Sequence, residues 1–107
     1  MKFLIITRPR GNAAVPPTAM PALIEATKAF ITRGRNAGKW DVVYSHTQGG
    51  VAIANHDTAE DLNSWLAEYP MGPFEDIEVL PLADVDKTLD KLLQTARQVA
   101  SMVGGGR

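Results

Sequence analysis

Two carboxylates alternate with apolar residues in "EDIEVLPL", residues 75–82, where Asp76 and Glu78 flank Ile77 and Val79 follows. In a strand, residues two apart share a face, so both acids point the same way. If Ile77 and Val79 pack under helices, Asp76 and Glu78 face the space between two sheets. An acid enclosed there can act as general base or acid, because burial disfavours its charged form. Charges on an edge strand also deter aggregation, which is the plainer reading of both. His46 is the second proton-transfer candidate. It shares a strand face with Tyr44, and an imidazole beside a carboxylate exchanges protons near neutral pH. A hairpin-end histidine in solvent is its plainer reading. Glu78 and His46 are the expected catalytic pair.

Arg8 and Arg10 begin a proline-rich loop and could hold a substrate carboxylate through paired hydrogen bonds, or stand exposed. Trp40 opens a strand and walls a pocket or fills core. Arg8, Trp40 and Tyr44 are the expected substrate contacts. His56 precedes a helix cap and is expected at the surface. Two histidines, no cysteine and no H-x-x-x-H spacing make a weak case for a metal site.

The elements that must carry these residues follow from periodicity. "KFLIIT" (2–7) is apolar on both faces, as a central strand is. "RPRGNAAVPPT" is a loop. A helix is expected from Thr18 as cap, with Pro21 in its first turn and Gly38 as its stop. "WDVVYSH" (40–46) and "VAIANH" (51–56) flank "TQGG" as a hairpin. With "QG" as a two-residue turn Tyr44 pairs with Ile53, and a bulge reverses the faces. Asp57 or Thr58 caps a second helix whose stripe is Ala59, Leu62, Trp65, Leu66 and Tyr69, ended by Pro70. The strand 75–82 follows. Asp84 caps a third helix, with Val85, Leu89, Leu92, Leu93, Ala96, Val99, Ala100 and Val103 on one stripe. The tail from Gly104 is expected to fray.

The order β-α-β-β-α-β-α predicts an α+β ferredoxin-like fold: a four-stranded antiparallel sheet, order 4-1-3-2, with two helices on one face. The chain reads as one domain, 1–83 forming the core and 84–103 an added helix. The other sheet face and the third helix both need cover: the helix can fold back over the sheet, or two subunits can pack sheet to sheet, and packing against a second subunit is the favoured reading.

Length and composition bound the function. The chain has 107 residues, 11 basic and 12 acidic, with 45% hydrophobic. That balance supplies no basic field for nucleic acid or an acidic membrane. The start "MKFLIITRPR" is too short in apolar residues for a signal peptide, and no stretch spans a bilayer. With no cysteine, a cytoplasmic protein is expected.

"GKW", then "VAIANHDTAEDLNSWLAEYP" and "PFEDIEVLPL" resemble the muconolactone δ-isomerase-like family of dimeric α+β barrels. The most specific part is "LAEYPMGPFEDIEV", Leu66 to Val79. After Trp40 this chain carries Asp41, Val42 and Val43 in place of the family's basic, imidazole-rich strand. The resemblance implies a closed homo-oligomer and a small-molecule pocket. It also implies cofactor-free proton transfer within an unsaturated lactone of aromatic-compound catabolism, or on an aromatic-derived acid. A non-catalytic small-ligand or assembly protein on the same barrel is the alternative. A buried His46–Glu78 contact would favour the enzyme, and a dry apolar pocket, or none, would favour the alternative.

Overall fold

The computed structural model describes residues 1–12 and 14–104. Four strands form one antiparallel sheet: β1 (Lys2–Pro9), β2 (Trp40–His46), β3 (Gly49–Asn55) and β4 (Glu75–Leu82), in the order β2-β3-β1-β4. The expected order, with the first and third strands central, is the one observed. Three helices accompany them: α1 (Met20–Asn36), α2 (Ala59–Leu66) and α3 (Val85–Gly104).

Alternation sorts the sheet residues. Phe3, Ile5, Ala52 and Ala54 are buried with Leu62, and Trp40, Val43, Leu66, Ile77 and Val79 pack against them. The two alanines let helices approach closely, and Phe30 from α1, 2% exposed, fills the gap under Trp40, Trp65 and Tyr69. Losing a buried phenylalanine of this kind typically costs about 3–5 kcal/mol. Leu4, Ile6, Val42, Tyr44, Val51, Ile53, Leu80 and Leu82 take the opposite, open face by the same alternation.

The helix ends follow local chemistry. α1 starts at Met20 with Ala19 as N-cap and no side-chain cap, so Thr18 does not cap it. The turn Pro16–Ala19 leads in instead, with Ala19 N bonding to Pro16 O at 2.9 Å. At its end, Gly38 takes φ 70°. Its N–H bonds to Arg35 O, and Lys39 N–H to Gly34 O, the paired closure that a left-handed glycine permits. Thr58 caps α2 by accepting from Asp61 N at 3.0 Å. α2 stops at Leu66, three residues before Tyr69, so Tyr69 leaves the helical stripe. Asp84 caps α3 by accepting from Lys87 N at 2.9 Å.

β1 runs on through Arg8 and Pro9, beyond the expected Thr7, because both pair with β4. No residue of α3 is buried, and the chain is 73 Å long. The tail 105–107, expected to fray, lies outside the described residues.

Candidate active site

A cavity of about 70 Å³ lies between helices and sheet. Thr7, Phe30, Trp40, Val43, Leu66 and Tyr69 are among its walls, and no charged or imidazole side chain lines it among the described residues. Its polar corner is Thr7 and Tyr69. The Tyr69 hydroxyl donates to Glu75 Oε1, and Glu75 is 7% exposed although it is a carboxylate. Burial pushes the Tyr69 phenol above its ordinary range, the Glu75 carboxylate adds to the rise, and a hydrogen bond with the Thr7 side chain works the other way. The Thr7 hydroxyl also accepts from Gly50 N at 2.9 Å. Two bonds fix this corner: Gly50 N–H to the Thr7 hydroxyl, and the Tyr69 hydroxyl to Glu75. The second holds the phenol protonated and its proton aimed at the acid.

Trp40 reaches the cavity because of an irregularity. The β2–β3 register shifts between Trp40 and Val42, leaving Asp41 bulged. Trp40 pairs with Ala54 and Val43 with Ala52, on the helix side, while Val42 and Tyr44 pair with Ile53 and Val51 on the open side. Lys2 and Asn55 both bond to the Asp41 carboxylate. The Lys2 hydrogen bond holds that carboxyl below its usual range, with Asn55 contributing next. Trp40, an expected substrate contact, thus stands at the cavity wall. Its indole lies against Gly34, where an added Cβ would stand 2.1 Å from Nε1.

The other expected residues lie elsewhere. Glu78 is exposed on the open face, opposite Ile6, and Ile77 and Val79 point to the helices as the alternation requires. Tyr44 is 67% exposed on the same open face. It pairs with Val51, not Ile53, because Thr47 and Gln48 form the turn; a two-residue slip leaves the face unchanged. Arg8 is exposed opposite Asp76. His46 and Glu78 sit on the two edge strands, three strand spacings or roughly 14 Å apart, so no contact joins them within the chain.

His46 has a defined environment of its own. Gln48 N donates to Nδ1 at 3.1 Å, which leaves Nε2 to donate to Thr7 O at 3.0 Å. Its ring therefore clips the hairpin end to the strand residue that corners the cavity. Gly49, φ 155°, packs where a Cβ would stand 2.0 Å from the same carbonyl.

His56 corrects the expected surface position: it is 3% exposed. Its Nδ1 bonds to Asp61 Oδ2 at 2.9 Å, and this bond, ahead of that from Lys39, holds the Asp61 carboxyl below its usual range. The ring faces Trp65 at 6.4 Å. Strand alternation continued one step past Asn55 places His56 under α2, and the acid at the third position of that helix is the signal that could have found its partner.

Comparison with solved structures bears on this frame. A muconolactone isomerase structure superposes with a TM-score of 0.69, covering 78% of this chain and 90% of that one, at 21% identity. The chain has the muconolactone isomerase fold. A 5-chloro-2-hydroxyhydroquinone dehydrochlorinase from Burkholderia phenoliruptrix AC1100, solved with 2,5-dihydroxybenzoquinone, superposes with a TM-score of 0.59 at 15% identity. That match covers 81% of this chain and 98% of the dehydrochlorinase. No family model matches the sequence, and no curated protein matches it. Among the described residues no helix is long and apolar enough to cross a membrane.

Proposed function

We propose that the protein is a cofactor-free enzyme that moves a proton within a small unsaturated lactone or related aromatic-derived compound, using the cavity beneath α1 and α2. The single observation that carries the reading is the Tyr69–Glu75 pair at the corner of an apolar cavity. A carbon acid next to a carbonyl loses its proton to Tyr69 Oη as the phenol passes its own proton to Glu75. The electron pair delocalises into the conjugated carbonyl as a dienolate. The reverse transfer then protonates a different carbon, so Glu75 ends ionised and Tyr69 ends as phenol. A phenol held protonated suits this relay better than a free phenolate does. His46 acts as a positioning residue through Thr7, and Trp40 as the ring-facing wall. The fold is shared with two enzymes of small cyclic compounds, which supports the class of substrate.

A second copy completes the molecule in this reading. The open face and α3 both carry apolar residues in solvent, including Leu80, Leu82, Leu89, Leu92 and Leu93. Sheet-to-sheet packing would cover the first and give α3 a partner. Arg8, Tyr44 and Glu78 would then line the subunit junction.

The test is hydrogen–deuterium exchange into 2(5H)-furanone and its methyl derivatives in heavy water. The parent should exchange ring protons faster than buffer, and Glu75→Gln should slow this by at least about 100-fold. Exchange at the buffer rate with a lactone that demonstrably binds would leave a small-ligand binding protein in place of the enzyme.

A further inference from the structure

We infer that the cavity selects an uncharged single-ring compound and rejects a carboxylate of the same size and shape. This rests on the cavity being the reaction site. Its walls offer an anion nothing: among the described residues none is cationic. The ionised group nearest its polar corner has the wrong sign, since Glu75, 7% exposed, stands behind Tyr69. A carboxylate entering here would lose its water without gaining a countercharge, and would face a second carboxylate at short range.

The cations nearby are all committed outside the cavity. Arg8 follows Thr7 in β1 and so points to the opposite face of the sheet, where it is exposed. Arg10 donates to Asp76 Oδ1 at 3.2 Å and to the Glu75 carbonyl at 3.2 Å. Arg33 lies over the rings of Phe30 and Trp65, 5.6 Å from each centroid. Lys39 bonds to Asp61 at 3.3 Å. The expectation that Arg8 grips a substrate acid therefore does not extend to this cavity.

Size narrows the class further. A dry cavity of about 150 Å³ holds a benzene molecule, and this one is about half that volume. One ring, entering edge-first with part of it in the mouth, is the largest body it accommodates without moving its walls. Among the described residues Thr7 and Tyr69 supply the only side-chain hydroxyls at its walls, and with the Tyr69 proton given to Glu75 the Thr7 hydroxyl is the one left to donate to a ring oxygen or carbonyl.

The experiment uses pairs that differ in charge and little in shape: 2-furamide against 2-furoate, and benzamide against benzoate. Amide-resolved NMR titration of the intact chain at pH 7.5 reads both affinity and place, through Thr7, Gly50, Ala52 and Tyr69. The amide should bind at least about tenfold tighter than its carboxylate, a difference of about 1.4 kcal/mol, and shift those four residues. Equal or tighter binding of the carboxylate overturns the inference, and so does the absence of shifts at the cavity with both amides. Glu75→Gln should narrow the amide preference, because the repelling charge is gone; an unchanged ratio would remove Glu75 from the selection. Loss of deuterium exchange with the amide preference intact would sink the enzyme reading and leave this inference standing.

Discussion

Tyr69 and Glu75 meet across five intervening residues, phenol to carboxylate, with the acid 7% exposed and the tyrosine on the cavity wall. The turn is built from Pro70, Gly72 and Pro73, and Gly72 N bonds back to Tyr69 O at 3.0 Å. Only a connection this tight sets the end of a helix and the start of a strand side by side.

Three acids near this end separate by position. Glu75→Gln should abolish lactone exchange while the fold remains, because the amide oxygen still accepts from Tyr69. Glu78→Gln and Asp76→Asn, on the open face, should leave the rate within about threefold of the parent, as surface changes leave stability within about 0.5 kcal/mol. Exchange rates of the three purified variants decide it; loss in Glu78→Gln with retention in Glu75→Gln would reverse the assignment.

Alkaline pH probes Tyr69. Its folded pKa is raised, by burial first and Glu75 next, above an unfolded value of about 10. The folded state therefore holds the proton more tightly than the unfolded chain. That contribution to stability is fully present below about pH 10 and is lost as pH rises through the folded value. In a Tyr44→Phe background, urea midpoints should fall above about pH 10 and tyrosinate absorbance should appear with unfolding rather than before it. Tyrosinate forming in the folded protein near the ordinary value would contradict the burial.

Gly34→Ala pits two effects against each other. Alanine in a helix interior gains about 1 kcal/mol over glycine. Here its Cβ would stand 2.1 Å from Trp40 Nε1 and 2.7 Å from Cδ1, at the rigid edge of an indole. Overpacking of that kind costs about 1–3 kcal/mol. The substitution should destabilise and alter Trp40 fluorescence; a stabilised variant with unchanged emission would show that the indole moves freely.

The third helix tests association. Sedimentation equilibrium at micromolar concentration should show at least a dimer, and Leu92→Asp should weaken it by placing an unpaired charge in an apolar contact. A parent sedimenting as a single 11.6 kDa chain would remove the interface.

Much of the frame was legible in the sequence because alternation and helical spacing are dictated by burial. Ile77 and Val79 against Asp76 and Glu78 sorted correctly from the pattern alone. The site was harder to see. Tyr69 reads as the last residue of a helical stripe, and only the early stop at Leu66 turns it to meet Glu75. His56 looks like a strand end in solvent, since its partner Asp61 belongs to the next element. His46 and Glu78 share no contact because they sit on opposite edge strands; the expected strand order already separated them, and residue type and face alone suggested the pair.

Asp41 sets the phase of its strand. Had β2 paired without the irregularity at this residue, Trp40 would fall on the same side as Val42 and Tyr44, and the indole would leave the cavity. Length is thus a functional variable in this hairpin: with Asp41 deleted, plain alternation would hold Trp40 and Val43 on one side without a bulge, whereas deleting two residues between them would put them on opposite sides. A homologous chain can therefore keep the cavity with the extra residue and its bulge or with neither, and an odd interval paired without a bulge would turn the indole out.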